Sequence, residues 1–63
     1  MVAPQFEMYK DTAGEYRWRL RAPNGKIIAD SGEGYEQKSG CKNGIASVKE
    51  NVTKAIIQDL TGE

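Results

Sequence analysis

From Glu15 to Arg21 the chain reads Glu-Tyr-Arg-Trp-Arg-Leu-Arg, large apolar residues alternating with arginines at a period of two. Successive side chains of a β-strand point to opposite faces, so the pattern predicts one strand with an apolar face and a cationic face. Phe6-Glu7-Met8-Tyr9-Lys10 alternates in the same way and predicts a preceding strand, with Asp11-Thr12-Ala13-Gly14 as the turn between them. If Thr12-Ala13-Gly14 form a three-residue loop, Gly14 takes the left-handed position that closes it with a bulge. That register sets Met8 opposite Trp18, Phe6 opposite Leu20 and Glu7 opposite Arg19. Apolar then meets apolar and charge meets opposite charge, whereas a four-residue loop would set Met8 against Arg17.

Ala22-Pro23-Asn24-Gly25 predicts a second hairpin. Asn-Gly suits a two-residue turn with both central residues at positive φ. Pro23-Asn24-Gly25 equally suits a type I turn closed by a glycine bulge, so the register of the third strand stays open. That strand reads Lys26-Ile27-Ile28-Ala29-Asp30-Ser31, and its adjacent isoleucines predict a sheet covered locally on both sides. After Gly32-Glu33-Gly34-Tyr35, a helix is expected from Gln37 or Lys38 to about Asn51. Cys41, Ile45, Val48 and Val52 form its apolar stripe. Gly40 and Gly44 lie one turn apart beside the stripe, and each costs about 1 kcal/mol relative to alanine in a helix interior. Two such costs predict the close approach of a bulky ring, Trp18 or Tyr35. Ala55-Ile56-Ile57-Gln58-Asp59-Leu60, β-branched in its middle, predicts a fourth strand, and Gly62 and Glu63 are expected to fray.

The fold class is therefore α+β: a β-β-β-α-β unit in which an antiparallel meander is covered by one helix, one domain over 1–63 with its core at about 5–60. The link of about four residues after the helix reaches about 13 Å, which leaves the last strand able to pair with its own sheet or with a partner's. Size bears on that choice. A chain of 63 residues buries only about 60% of the surface its unfolded form exposes, and domains this small usually carry a staple. Cys41 is the one cysteine and histidine is absent, so neither an intrachain disulfide nor a four-ligand zinc site is expected. Self-association remains by elimination, and exchange of the last strand between two copies would cover an apolar edge.

Nine basic residues balance nine acidic ones, and the pI of 6.2 implies no global field to draw nucleic acid or an anionic membrane. No apolar run approaches the roughly 20 residues that span a bilayer. Met1-Val2-Ala3-Pro4-Gln5 lacks the charged and apolar regions of a signal peptide, and a single free cysteine suits a reducing compartment, so a cytoplasmic location is expected.

The candidate binding face is Arg17, Arg19 and Arg21 on one side of the second strand, a track for phosphates with Tyr9 as a platform on which a single-stranded base would stack. The competing reading is an ordinary solvated strand face with Arg19 paired to Glu7. Lys10, Lys26 and Lys38 would widen the patch if the fold gathered them. Trp18, Phe6 and Tyr16 read as core, and Tyr35 as packing against the helix. Gly32-Glu33-Gly34 ahead of a helix is a bare fragment of a phosphate loop without its lysine-serine pair. Cys41 lies on the apolar stripe with no histidine to activate it, and Glu7, Glu15, Asp30 and Glu33 have no evident pocket to raise a pKa. No catalytic, cofactor-binding or metal-binding residue is predicted, and the chain is expected not to be an enzyme.

Phe6-Glu7-Met8-Tyr9-Lys10-Asp11, Gly14-Glu15-Tyr16-Arg17-Trp18-Arg19-Leu20, Asn24-Gly25, Ile27-Ile28-Ala29, Ser31, Glu33-Gly34-Tyr35, Lys38, Cys41 and Gly44-Ile45-Ala46-Ser47-Val48-Lys49 together closely resemble the YegP-like family of uncharacterised bacterial and archaeal domains. The match runs from about residue 6 to residue 51. The resemblance implies a β3-α-β unit occurring singly or in tandem, two units forming a continuous sheet with swapped C-terminal strands. With one unit per chain, it implies a homodimer. Gln37 departs from the serine or threonine of the family ahead of the helix, and the tail beyond Asn51 is variable. The family carries no established activity. The expectation is a non-enzymatic homodimeric binding or accessory module, its main partner itself. The alternative is single-stranded nucleic-acid binding through Arg17, Arg19 and Arg21. A small-molecule site at the dimer seam, near Tyr35 and Glu33, is a third possibility.

Overall fold

The computed structural model describes residues 2–63. Three antiparallel strands, β1 (Gln5–Lys10), β2 (Tyr16–Arg21) and β3 (Ile27–Asp30), form a meander in the order β1-β2-β3, followed by one helix, α1 (Lys38–Asn51). None of the described residues form a helix long and apolar enough to cross a membrane.

The first hairpin has the predicted register: Met8 faces Trp18, Phe6 faces Leu20 and Glu7 faces Arg19. Gly14 is left-handed at φ 83°, and its N–H donates to Asp11 O at 3.0 Å while Asp11 N–H donates to Glu15 O at 2.9 Å. The second hairpin resolves in favour of the type I turn with a glycine bulge. Gly25 has φ 86° and no residue other than glycine has positive φ among those described, which excludes the turn that would need Asn24 there. A second irregularity between Leu20 and Arg21 shifts the register so that Ile27 lies opposite Arg21 and Ala29 opposite Leu20. The extra residue bends the edge strand, and both Ile27 and Ile28 are exposed. The expected covering of β3 on both sides is therefore not found in the single chain.

The apolar face of the meander carries Trp18, 7% exposed, with Phe6 edge-on to its indole at 5.5 Å between ring centroids. The helix lies chiefly over β2 and buries Cys41 completely. Ile45 and Val48 are half-buried, but Val52 is exposed: the helix ends one residue before it, with Asn51 Nδ2 donating to Ser47 O at 2.8 Å. The helix starts at Lys38, and Gln37 provides no side-chain cap.

The two helical glycines face a ring, and the ring is Tyr35. An alanine Cβ at Gly40 would lie 3.6 Å from Tyr35 Cδ1, whereas one at Gly44 would overlap the phenol Oη and lie 2.9 Å from Cζ. Tyr35 is fixed from the other side by paired backbone hydrogen bonds with Tyr16, each 2.8 Å. Tyr35 thus locks the start of the helix to the start of β2. Ser31 is a buried polar residue that the sequence pattern does not single out. Its Oγ accepts the Trp18 N–H at 3.2 Å, and its own N–H donates to Trp18 O at 2.9 Å. The hydroxyl extends the β2–β3 ladder by one acceptor where the chain leaves the sheet.

Ala55–Leu60, the predicted fourth strand, pairs with neither edge of the sheet within the chain. Lys54 N–H bonds back to Asn51 O at 3.0 Å, so the link is coiled into a turn. Ile56, Ile57 and Leu60 are 88%, 98% and 83% exposed.

Candidate binding face

Residues 17, 19 and 21 of β2 point away from the helix, as do Glu7 and Tyr9 of β1, because all share one parity within the register. The fold therefore brings Arg17, Arg19, Arg21 and Tyr9 together as predicted. It also supplies each arginine with a carboxylate. Glu7 lies between two of them: Arg19 Nε donates to Oε1 at 2.7 Å, while Arg21 Nε donates to Oε2 at 3.1 Å and its Nη2 to Oε1 at 3.2 Å. Arg21 Nη1 also donates to Gly25 O at 2.6 Å, tying the side chain to the second turn. Asp11 accepts Arg17 Nε at 2.7 Å through Oδ2, and through Oδ1 it accepts the N–H groups of Ala13 and Glu15, each at 2.9 Å. One aspartate thus shapes the first turn and anchors the first arginine.

These contacts set the protonation of the face. The guanidinium of Arg21, and after it that of Arg19, lowers the Glu7 carboxyl from 4.5 to about 2. Arg17, helped by the Glu15 backbone N–H, holds Asp11 below the usual carboxylate range. The hydrogen bonds to Asp11 and Glu7 in turn raise Arg17 and Arg21. The Arg19 guanidinium lies 4.8 Å from the centre of the Tyr9 ring, so the proposed stacking platform already carries a cation on one side.

The Glu7–Arg19 pair was legible in the strand pattern. Two partners were not. Glu7 reaches Arg21 diagonally, and Asp11 lies in a turn rather than opposite Arg17; the diagonal rule of antiparallel pairs and the liking of aspartate for turns are the signals that point to them. Lys10 does not widen the basic patch. It has the parity of Phe6 and Met8, and its Nζ lies 5.2 Å from the Tyr16 ring centre on the opposite face. Lys26 follows Gly25 of the second turn and Lys38 opens the helix, and both are exposed.

The remaining candidates have structural roles. Gly34 packs against Glu15, whose Oε1 would lie 2.8 Å from an added Cβ; glycine there serves close packing. Cys41 is fully buried, and burial raises its thiol above the ordinary value, which keeps it protonated and unreactive. Glu33 is exposed, and Tyr35 lies against the helix.

A family model described as a domain of unknown function, DUF1508, matches residues 11–59. The chain belongs to this family. A UPF0339 protein of Treponema denticola is 46% identical over 59 residues, which cover 94% of this chain and 100% of that one. A second relative, the UPF0339 protein in the ptx operon 5′ region of Stutzerimonas stutzeri, is 61% identical over 46 residues, 73% of this chain but 40% of its own length. The solution structure of a protein from Haloferax volcanii matches with a TM-score of 0.86 at 49% identity, covering 94% of this chain and 98% of that one. These relatives bear out the YegP-like resemblance and the arrangement of three strands and one helix.

Proposed function

We propose that this DUF1508 chain works as a homodimeric, non-enzymatic binding or accessory module whose two copies exchange the segment Ala55–Leu60. The observation that carries this reading is surface area. A compact folded chain of 7.0 kDa exposes about 4,000 Å²; this one exposes 5236 Å². The excess, on the order of 1,200 Å² per chain, exceeds the roughly 800 Å² that each partner contributes to a standard interface. The radius of gyration tells the same story: 13.5 Å against about 11 Å for a compact chain of this length. Three large apolar residues lie on the tail, and none of the described residues covers them. The Stutzerimonas stutzeri relative is long enough to hold a second unit beside the matched 46 residues, which suits a module that works in pairs. A cytoplasmic location suits the lone buried thiol of Cys41.

Nucleic-acid binding through the arginine face is the weaker reading, because Glu7 and Asp11 pair with the three arginines and offset two of their three charges. Incoming phosphates would meet these carboxylates, held 2.7 Å from Arg17 and Arg19, and be repelled by them. Light scattering on the full chain at micromolar concentration tests the dimer. Twice the mass of the 7.0 kDa chain is expected, and a cooperatively folded species of single mass at that concentration overturns the reading. A gel-shift titration with a single-stranded oligonucleotide at about 50 mM salt is expected to show no complex. A complex that weakens steeply with salt would restore the arginine face as the site.

A further inference from the structure

We propose that Asn24 is a site of spontaneous covalent modification. Its side-chain amide is lost through a cyclic imide formed with the Gly25 nitrogen, leaving aspartate or isoaspartate in the second turn. The proposal concerns the single chain and does not depend on the tail exchange above.

Asn-Gly occurs twice in the sequence, at Asn24-Gly25 and at Asn43-Gly44. Glycine has no Cβ to hinder the approach of its own nitrogen to the preceding side chain. In the reaction the Gly25 nitrogen attacks Asn24 Cγ, and the new N–C bond closes a five-membered ring. The side-chain amide leaves as ammonia, carrying the proton that the Gly25 nitrogen gave up. Water then opens the ring. Cleavage of the new N–C bond gives aspartate; cleavage of the original peptide bond gives isoaspartate, in which the main chain runs through the side chain. One ammonia is lost and one water gained.

The fold places the same dipeptide in two different settings. Asn24 and Gly25 are both exposed, and a Cβ added at Gly25 would meet nothing within 4 Å, so this backbone can turn in open solvent. Gly25 N–H is held by one hydrogen bond, to Ala22 O at 2.9 Å, in the turn between β2 and β3. Exposed turns open locally at little free-energy cost. Asn24 Oδ1 accepts the Lys26 N–H at 3.0 Å. That donor polarises the amide carbonyl and stabilises the oxyanion that develops there as the nitrogen attacks.

Asn43 is exposed as well, but Gly44 lies near the middle of α1, where each N–H is bound to the carbonyl four residues before it. Freeing its nitrogen breaks the helix from within. Gly44 also lies against Tyr35, where an added Cβ would stand 2.9 Å from Cζ. Its movement therefore disturbs the contact that locks the helix to β2.

The two products differ in effect. Aspartate keeps an oxygen for the Lys26 N–H and adds one negative charge to a chain of net charge zero. Isoaspartate adds a carbon to the main chain between Ala22 and Lys26. The Ala22 N–H bond to Lys26 O at 2.7 Å and the Arg21 Nη1 bond to Gly25 O at 2.6 Å both close loops through that position. Isoaspartate thus loosens the second hairpin and frees Arg21 from the turn.

The test incubates the full chain, folded and guanidinium-unfolded, in neutral to mildly alkaline buffer, followed by brief tryptic digestion in mildly acidic buffer. Cleavage after Arg21, Lys26, Lys42 and Lys49 places the two asparagines in separate peptides, 22–26 and 43–49. Chromatography with mass spectrometry reads amide, aspartyl and isoaspartyl forms of each. The folded rate divided by the unfolded rate is expected to be at least about tenfold larger for Asn24 than for Asn43, with isoaspartate among the products. Equal ratios, or a larger one for Asn43, overturn the proposal. Conversion of Asn24 to aspartate alone overturns the cyclic route. Asn24→Gln is expected to abolish the conversion in peptide 22–26, and its persistence at the parent rate overturns the assignment to Asn24.

Discussion

Replacing Gly44 by alanine sets two known effects against each other at one site. Alanine in a helix interior is favoured over glycine by about 1 kcal/mol. At Gly40 that gain is available, because the new Cβ would make ordinary contacts with Tyr35 at 3.6 Å and 3.9 Å. At Gly44 the new Cβ would overlap Tyr35 Oη and stand 2.9 Å from Cζ. The ring cannot retreat freely, since the Tyr35 backbone is bonded twice to Tyr16 at 2.8 Å. Overpacking of this kind costs about 1–3 kcal/mol. Both substitutions carry the same propensity gain, so their difference isolates the clash: Gly44→Ala should be less stable than Gly40→Ala by about 1–3 kcal/mol. Urea unfolding followed by Trp18 fluorescence measures this, with protein concentration held fixed because a dimer's stability depends on it. In a Tyr35→Leu background the difference should vanish, completing a double-mutant cycle. Equal stability of the two alanine variants in the parent background would refute the role assigned to Tyr35.

Trp18→Ala should cost roughly 3–5 kcal/mol, since the indole is 7% exposed and is the largest side chain in the core; parent-like denaturant stability would contradict that core. Glu7 has a folded pKa of about 2, below its ordinary 4.5, so its contribution is fully present above pH 4.5 and is lost as pH falls toward 2. Glu7→Gln should flatten the decline of stability across that window, and an unchanged slope in acid denaturation would rule out the carboxylate clamp. Cys41 should react with a thiol reagent only as fast as the native state opens, given its complete burial and raised pKa; prompt modification of the native protein would place the thiol elsewhere.

The hairpin register was legible because two independent patterns, apolar and ionic, agree on one alignment of β1 with β2. The paired glycines were legible for the same kind of reason, as a cost needing a return, although the pattern alone did not choose between Trp18 and Tyr35. The second turn was not legible. Asn24-Gly25 satisfies two turn types, and the preference of Pro23 for the first position of a type I turn decides only once backbone angles are known. Val52 continued the apolar stripe in spacing, yet Asn51 ends the helix before it. In the binding face, side-chain parity fixed which residues gather and paired Glu7 with Arg19, while the carboxylate on Arg17 came from a turn and Glu7 reached Arg21 diagonally. The tail is a different case. Its composition is that of a strand, but a strand exists only in a ladder, and the chain by itself offers the tail none.

The exchange of tails is tested most directly by isotope-filtered NMR on a dimer refolded from an equal mixture of labelled and unlabelled chains. Contacts from the Ile56 and Leu60 methyl groups of one chain to the sheet of the other are predicted. The same contacts found only within a single chain, or a tail that touches nothing at all, would contradict the account.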